Sequence, residues 1–419
     1  MPNELGTSFH KSAKAMIIHQ PVLKTNEDNS VISAKIETNN PCPDFPKDLW
    51  FRVESYWSNY LSEKSDAFLV AMLPIACELG EDLEIHGDVS PKLLYGAREY
   101  VRIANAYRPN RNYLIKIKAR HFPESMSLSD SANNLKKGVG FAFSGGIDAF
   151  YTLYSHIPEN EEIPEYQITH ALTINGFDRD VDLNQSKFFP VLKKIYTPIF
   201  EKLNIKYISV DTNLQKFRKA GVRDLTTSYS SSLIASALAL SPIFRKFFVS
   251  SSYKYGVLGT ADDLRPLVDP LLSNEETEIL YAGADATRYE RLLAISAWPL
   301  TYDNLRVCTN KTWQNIDVKN SKVVNCCNCE KCLLTQIALE LIDASSLYST
   351  FPTPLTRKRI RYTHFKRGGQ IRLKEYLNYS DKIGKKDFSF DLRFALYRSI
   401  FKSFIKSPRK FFSSFLRHP

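Results

Sequence analysis

The sequence predicts an α/β chain built on a doubly wound parallel sheet, with an α+β region before it and a basic helical segment after it. Three observations predict this class. From residue 138 to about 250, short apolar runs alternate with helical segments, as in βαβ units with right-handed crossovers. A polar stretch over 125–138 separates these units from an earlier region of mixed strands and helices. Lys and Arg concentrate after residue 353.

The composition is that of an ordinary globular protein. The 419 residues are 43% apolar and 24% charged, which favours two or three domains. No stretch approaches the run of about 18 apolar residues that a membrane span needs, and the first residues lack the apolar region of a secretory signal. We therefore expect a cytoplasmic protein. The net charge of +11 comes from 353–419, which carry 18 Lys/Arg and 4 Asp/Glu, while the rest sums to −3.

The region 1–135 is predicted to form an α+β domain of unassigned role. Its first 40 residues or so are expected to hold one or two strands, within 13–23 and 30–38, or to be partly disordered, and further strands are expected within 49–57, 81–87 and 112–120. A helix is expected to start at Ser65 or Asp66 as its cap and to end at Gly80. A second helix should follow Ser90 as N-cap, with Pro91 in the first helical position.

Residues 138–345 are predicted to form the central domain. Strands are expected at 138–143, 169–174, 206–212 and 247–253, with helices between them. Ligands of doubly wound sheets bind at the carboxyl ends of the strands. These ends are predicted to bring together 144–148, 175–178, 211–212 and 250–253.

The stretch GVGFAFSGGIDAF, residues 138–150, contains the strongest local signal. An apolar strand runs into Ser144, Gly145 and Gly146, and a helical pattern begins directly afterwards. Such a loop presents backbone N–H groups and a helix dipole to an anion, and paired glycines let a phosphate approach closely. Asp148 is expected to cap this helix or to face a metal.

Five of the seven cysteines fall within residues 308–332. In a cytosolic chain this spacing favours a metal site over disulfides. Cys308 with Cys326-x-x-Cys329-x-x-Cys332 offers four thiolates for a closed, tetrahedral structural zinc site. Cys327 is the spare cysteine. A ligand set that includes Cys327 and an iron–sulfur cluster are the alternatives.

Two of these motifs carry a resemblance to a known family. SGGIDAF resembles the SGGxDS loop of the PP-loop ATP pyrophosphatase superfamily, and RVCTN…NCCNCEKCLLT is similar to the four-cysteine site of its 7-cyano-7-deazaguanine synthase branch. The resemblance spans 138 to about 340. It implies an adenine nucleotide alpha hydrolase-like (HUP-type) fold, with ATP, Mg²⁺ and structural Zn²⁺ as cofactors. It also implies a ligase-type reaction in which a substrate oxygen is adenylated, pyrophosphate leaves and a nitrogen nucleophile displaces AMP.

The resemblance also implies roles for individual residues. It places the ATP contacts at Ser144, Gly145, Gly146, Asp148, Asn175 and Asp178. The Asp-x-Arg-Pro element of the synthases matches Asp263, Arg265 and Pro266, so catalytic roles are implied for Asp148, Arg265 and Asp263. A surface ion pair is the alternative for Arg265. One departure is Ala149, which stands where the superfamily has a serine hydroxyl.

The stretch DATRYE, residues 285–290, is predicted to open a helix. Asp285 is the expected cap. Arg288 is expected to face the nucleotide site.

The basic segment 353–419 leaves several partners open. Its last predicted helix places Phe394, Tyr397 and Phe401 near helical spacing, with Arg398 and Lys402 between them. This pattern is compatible with contact to tRNA, with an anionic membrane surface, or with packing on the body or on a second subunit in a homodimer.

Three functions therefore stay open at the level of sequence. The first is the ATP-dependent, AMP-forming ligase, acting on a small molecule, a protein or a nucleic acid. The second is a PP-loop enzyme that modifies tRNA by thiolation or amidation. The third, motivated by Ala149, is a non-catalytic ATP-binding module of a defence or modification system.

Overall fold

A computed structural model describes residues 15–39, 42–121, 137–178, 181, 188–257, 264–308, 316–317 and 320–406. Within these ranges an 11-stranded sheet runs through the molecule in the order β11-β10-β7-β8-β9-β4-β3-β1-β5-β6, with β2 paired to β3. Its strands are β1 (Met16–Ile18), β2 (Val22–Thr25), β3 (Asn29–Glu37), β4 (Asp48–Glu54), β5 (Leu83–Val89), β6 (Ile117–His121), β7 (Gly138–Ala142), β8 (His170–Asn175), β9 (Lys206–Thr212), β10 (Phe244–Ser250) and β11 (Glu278–Ala282). A separate two-stranded ribbon joins β12 (Ile316–Asp317) and β13 (Lys322–Val323).

The helices in the described ranges lie on both faces of the large sheet. They are α1 (Asp66–Leu79), α2 (Pro91–Tyr107), α3 (Ile147–Ser155), α4 (Phe188–Lys202), α5 (Leu214–Gly221), α6 (Tyr229–Leu238), α7 (Arg265–Val268), α8 (Arg288–Ser296), α9 (Glu330–Leu341), α10 (Arg357–Tyr362), α11 (Arg367–Lys382) and α12 (Lys386–Lys406). Short 3₁₀ turns cover Ser55–Tyr60, Pro164–Tyr166, Pro270–Leu272, Pro299–Thr301 and Ser345–Leu347.

The strands β7 to β11 form a doubly wound unit. They are all parallel, and in chain order they lie 3-2-1-4-5 across the sheet. The chain moves outward in one direction from β7 to β9 and then in the other from β7 to β11. The point of reversal lies beside β7, so the glycine loop after β7 opens at the crevice where such sheets bind ligands. The predicted α/β class with a large, mostly parallel sheet is confirmed.

The amino-terminal strands continue the same sheet. Antiparallel pairing of β4 with β9 sets Phe51 opposite Thr212 and Arg52 opposite Asp211. Arg52 Nη2 also donates to Asp211 Oδ2 at 2.6 Å. The predicted linker lies mostly in 122–136, outside the described residues, and the division into domains at 1–135, 138–345 and 353–419 stays a prediction.

The buried apolar residues form two clusters, one on each face of the sheet. Phe68 of α1 and Leu238 of α6 belong to the first cluster. Phe150 of α3 and Leu339 of α9 belong to the second. Covering both faces explains why β7 and β8 are buried at nearly every position. At the edge of this unit, β9 alternates buried and partly exposed residues instead.

Local signals set several helix ends as the sequence predicts. Gly80 ends α1 with φ = +72°, and the Ser90 hydroxyl caps α2 by accepting from the Leu93 N–H at 3.3 Å. Ser65 occupies the N-cap position of α1, but its side chain makes no capping hydrogen bond. The Asp285 prediction is wrong, since Thr287 forms the cap of α8 in a reciprocal capping box with Glu290.

The described part of the basic segment forms three helices, α10 to α12. Helices α10 and α11 pack against α9, and α12 packs against α10 and α11. The buried Asp391 carboxylate accepts hydrogen bonds from Arg357 Nε, at 2.5 Å, and from Arg361 Nε. The predicted stripe is exposed, at 67% for Tyr397 and 64% for Phe401. Leu392, Ala395 and Leu396 form the buried face instead. In the described ranges, no helix has the length and apolar content to cross a membrane.

Candidate anion-binding site and metal centre

The glycine loop connects β7 to α3 at the switch point. Gly145 has φ = +75°, and a Cβ there would lie 2.1 Å from the Tyr196 hydroxyl oxygen, so only glycine fits. Gly146 has an ordinary φ of −84°, and a Cβ there would have its nearest neighbour, Ser144 Oγ, at 3.3 Å. The fold therefore requires glycine at 145, whereas a methyl group at 146 needs only a small shift of the Ser144 hydroxyl. The adjacent N-terminus of α3 favours an anion.

Asp148, in the first turn of α3, joins two arginines of α8. Its Oδ2 lies 2.5 Å from Arg288 Nη1 and its Oδ1 lies 2.9 Å from Arg291 Nη1. Burial would raise the pKa of Asp148, but the positive charges of Arg288, Arg291 and Arg372 outweigh this effect and lower the pKa to about 2. The carboxylate is therefore ionised, and both of its oxygens accept from guanidinium groups.

Two further cationic side chains lie near this ion pair, and neither of them has a carboxylate partner of its own in the described ranges. Lys331, on α9, and Arg372, on α11, make no ion pair or side-chain hydrogen bond with any residue that the structure describes. The Arg372 guanidinium lies 5.6 Å from the centre of the Tyr253 ring. Lys331 is solvent-accessible, yet partial desolvation and the charges of Arg288 and Arg372 lower its pKa to about 8.

The positive charge around the loop is therefore in surplus. Arg288, Arg291, Lys331 and Arg372 carry four positive charges around Asp148, the carboxylate in direct contact with two of them. Two further carboxylates act at longer range: the exposed Asp178 on Lys331, and Glu375 on Arg372. Like charges held together in this way repel one another and favour a bound anion.

A polar cluster lies at the ends of β8 and β9. Asn175 Nδ2 donates to Asp211 Oδ1 at 2.9 Å, and Arg52 holds the other Asp211 oxygen. Asn175 is 3% exposed, and its Oδ1 has no hydrogen-bond partner within the described ranges. A cavity of about 340 Å³ opens beside these three side chains. An unpaired buried amide oxygen at the rim of a cavity suits a ligand that donates a hydrogen bond.

Two arginines support the loops at this edge. Arg218, 2% exposed, donates from Nε to Ser228 Oγ at 2.9 Å and from Nη1 to the Phe177 carbonyl. Arg265 is 5% exposed, and its guanidinium lies 5.3 Å from the centre of the Tyr229 ring. Arg265 is therefore buried against Tyr229 and not on the surface.

The four predicted thiolates come together beside this site. The sulfurs of Cys308, Cys326, Cys329 and Cys332 lie within 4.8 Å of one another. Cys332 Sγ is 3.4 Å from Cys329 Sγ and 3.8 Å from Cys326 Sγ. Tetrahedral zinc with Zn–S bonds of about 2.3 Å separates its sulfurs by about 3.8 Å, so the four residues fit such a metal. The predicted ligand set is confirmed as a cluster that could hold a metal such as zinc.

Neighbouring residues orient the thiolates. Cys326 Sγ accepts the backbone N–H of Cys329 at 3.3 Å. The buried Asn325 side chain accepts the N–H groups of Val307 and Cys308 at 3.0 and 3.1 Å, which holds Cys308 beside the other three sulfurs. Cys327 lies outside the cluster, with its sulfur 3.4 Å from the Asn325 carbonyl.

Residue 149, where the resemblance leads one to expect a serine, faces the apolar core. Ala149 is 3% exposed and packs in the second apolar cluster. Thr152, one turn later, has its hydroxyl 2.8 Å from Ser250 Oγ. The Thr152 hydroxyl is thus bound to β10, away from the glycine loop.

The structure brings together most of the residues predicted for the site. The loop, Asp148, Arg288, Asn175 and the four cysteines lie at the carboxyl edge, whereas Asp263 lies outside the described residues. Sequence reasoning missed Arg52, Arg291, Lys331 and Arg372. Arg291 follows Arg288 at i+3 on one helix face, which was an available signal. No family model, curated protein or solved structure matches the chain, so its own geometry is the basis for interpretation.

Proposed function

We propose that the chain is an ATP-dependent, AMP-forming enzyme of the ligase type that binds the phosphates of ATP at the glycine loop. The observation that carries this proposal is the surplus positive charge beside the α3 N-terminus. Lys331 and Arg372 have no carboxylate partner among the described residues, and Gly146 is a glycine that the fold does not require. A polyphosphate satisfies both features, because it brings negative charge and needs close approach to the backbone.

In this proposal each residue acts on a defined part of the nucleotide. The α3 N-terminus and the backbone at Gly145 and Gly146 bind phosphate oxygens, and Arg288 lies beside them. Asn175 Oδ1 accepts a hydrogen bond from the base or ribose. A substrate oxygen attacks the α-phosphorus, the bond to the bridging oxygen breaks, and pyrophosphate leaves with that electron pair. The surplus cations stabilise the negative charge that develops on the leaving pyrophosphate.

Mg²⁺ would accompany ATP rather than reside in the protein. Both Asp148 oxygens already accept from arginine, so Asp148 does not fit a metal ligand in this arrangement. Asp178 is exposed and is the carboxylate available to hold Mg²⁺, which supplies charge neutralisation when bound. Asp148 then acts by positioning Arg288 and Arg291, and the HUP-type fold and structural zinc implied by the resemblance are part of this proposal.

Two alanine variants of the loop test the proposal as a matched pair. Gly146→Ala is expected to keep the free energy of unfolding within about 1 kcal/mol and to weaken ATP binding about tenfold or more, since its methyl group occupies the phosphate approach. Gly145→Ala should lose both stability and binding. Calorimetric titration with ATP and a pyrophosphate-release assay with Mg²⁺ measure these effects. ATP binding by Gly146→Ala at wild-type affinity would refute the phosphate assignment.

Ala149 supports a second candidate, an ATP-binding module without turnover. The position carries no hydroxyl, and the nearby Thr152 hydroxyl is engaged with Ser250. This candidate predicts that the wild type binds ATP but releases no pyrophosphate with any small-molecule, protein or nucleic-acid candidate. Contact of the basic segment with tRNA, with an anionic membrane or with a second subunit stays a prediction.

A further inference from the structure

Lys331 and Arg372, the two cations without an ion-pair partner among the described residues, are both connected to the thiolate cluster. Cys329 is the N-cap of α9, and Cys332 lies in its first turn. The backbone N–H of Leu333 donates to the Cys329 carbonyl at 3.0 Å. Lys331 lies between these two cysteines, so a metal that fixes both sulfurs also fixes the backbone of Lys331.

The same turn holds the helix that carries Arg372. Glu330 Oε2 accepts the backbone N–H of Lys366 at 3.2 Å, and Lys366 is the N-cap of α11. A carboxylate at a helix N-terminus is favoured by the helix dipole. Glu330 therefore positions the start of α11, and Arg372 follows within the second turn of that helix.

Both cations act on the same point of the phosphate loop. The charge of Arg372 acts on Asp148 and on Lys331, and the charge of Arg288 acts on Lys331 as well. Asp148 is neutralised by Arg288 and Arg291 through direct contacts. Two arginines and one carboxylate leave one positive charge, to which Lys331 and Arg372 add, while Asp178 and Glu375 act on these two cations without a direct ion pair.

We propose that Lys331 and Arg372 form an anion subsite for the terminal phosphates or for free pyrophosphate, and that the metal-loaded thiolate turn sets the geometry of this subsite. The proposal rests on the proposed function, since it assigns the part of ATP that these two residues contact. It makes the metal centre a positioning element for ligand binding as well as a structural one. AMP, which lacks the β- and γ-phosphates, should not depend on the two cations.

Calorimetric titration of the full-length, metal-loaded protein tests the subsite with pyrophosphate and AMP as probes. Lys331→Met and Arg372→Met should each weaken pyrophosphate binding by about tenfold or more and leave AMP binding within about twofold. Lys374→Met, an exposed lysine on α11, is the matched control and should bind both probes as the wild type does. Wild-type pyrophosphate affinity in Lys331→Met and Arg372→Met would overturn the subsite.

Metal removal tests the link between the two sites. Chelation should weaken pyrophosphate binding in the wild type by at least as much as Lys331→Met does, because it releases both cations, and should cause a smaller further loss in that variant. Unchanged pyrophosphate affinity after chelation, with circular dichroism confirming a folded chain, would overturn the link.

Glu330→Ala tests the same link without removing the metal. It should keep the full metal content and weaken pyrophosphate binding, and it decides the question if chelation unfolds the protein. Wild-type pyrophosphate affinity in this variant would overturn the positioning role of the turn. Failure of the wild type to bind ATP, AMP or pyrophosphate would instead refute the proposed function, so the two failures are distinguishable.

Discussion

The two ends of the same five parallel strands, β7 to β11, carry two very different clefts. The cleft at the amino ends is the larger, with a volume of about 990 Å³, and Lys137, His170 and Lys193 are among its lining residues. Two of its cations face carboxylates: Lys193 Nζ is 2.5 Å from Glu54, and Lys137 Nζ is 3.7 Å from Glu276. Lys206 and Arg245 line the cleft without an ion pair among the described residues, and Glu165 and Glu201 line it as well. Cations and carboxylates are therefore interspersed at the amino ends.

The carboxyl ends hold a smaller cavity, of about 340 Å³, beside Asn175. Lys331 and Arg372, which form no ion pair within the described residues, lie near the glycine loop at the same ends. The direction of the helices adds to this difference. In βαβ units the helices run against the strands, so their N-termini lie at the carboxyl ends and favour anions, whereas their C-termini lie at the amino ends. The comparison teaches that surplus charge and helix direction, and not cleft volume, indicate where an anionic ligand binds.

The largest effect is expected when the metal is removed from the thiolate cluster near the carboxyl ends. Cys332→Ser should remove the bound metal and lower the free energy of unfolding by about 5 kcal/mol or more, because structural thiolate sites contribute strongly to folding. Hydrogen exchange should accelerate in α9 and α11 but not in β3 and β4. Metal analysis, denaturant unfolding and exchange mass spectrometry measure these effects.

Cys327→Ser is the matched control for the metal prediction. Cys327 lies in the same turn, but its sulfur contacts the Asn325 carbonyl and not the other sulfurs. The variant should retain one equivalent of metal and nearly all of its stability. Loss of the metal in Cys327→Ser would show that the ligand set includes this cysteine.

The second effect tests the ion pair at the carboxyl ends. Asp148→Asn should lower the free energy of unfolding by about 3 kcal/mol at pH 7, because Arg291 is fully buried and loses its counter-charge. The pKa of Asp148 is lowered from 3.8 to about 2. Its stabilisation is therefore complete above about pH 4 and is lost as the pH falls through 2. Equal denaturation midpoints for wild type and variant would contradict the assignment.

Features encoded within a few residues could be predicted from the sequence. The glycine loop, the helix after it and the four thiolates each depend on local geometry at short spacing. The cap of α8 was also available, since Thr287 and Glu290 form the Thr-x-x-Glu pattern of a capping box. Choosing Asp285 overlooked that pattern.

Features that depend on distant pairing could not be predicted in this way. No local signal in β4 or β9 indicates that the two strands pair, because each shows only the alternation of buried and partly exposed residues that is common to many strands. Arg52 reaches Asp211 only through that pairing. Composition likewise assigned Arg372 to a basic segment remote from the loop, and only the packing of α11 on α9 brings its charge to Asp148.

The third effect concerns the amino ends, where His170 begins β8. Burial, with the nearby charge of Lys206, lowers the pKa of His170 from 6.5 to about 4. The unfolded chain therefore binds more protons between pH 6.5 and 4, and stability falls as the pH drops through this window, by about 2 kcal/mol at pH 5. His170→Gln should reduce this loss, as urea unfolding at pH 7 and pH 5 would measure. An unchanged pH dependence in the variant would mean that another group titrates.

The smallest effect is expected for a cation that is already matched. Lys193→Met breaks the pair with Glu54, in which both side chains are more than one-third exposed, so the loss of stability should stay below about 1 kcal/mol. Pyrophosphate affinity should remain within about twofold of wild type, because Glu54 already pairs with Lys193. A loss as large as that in Lys331→Met would place the anion site beside Lys193 and not beside Lys331. If affinity is unchanged, the two lysines differ in function because only Lys331 lacks an ion-pair partner among the described residues.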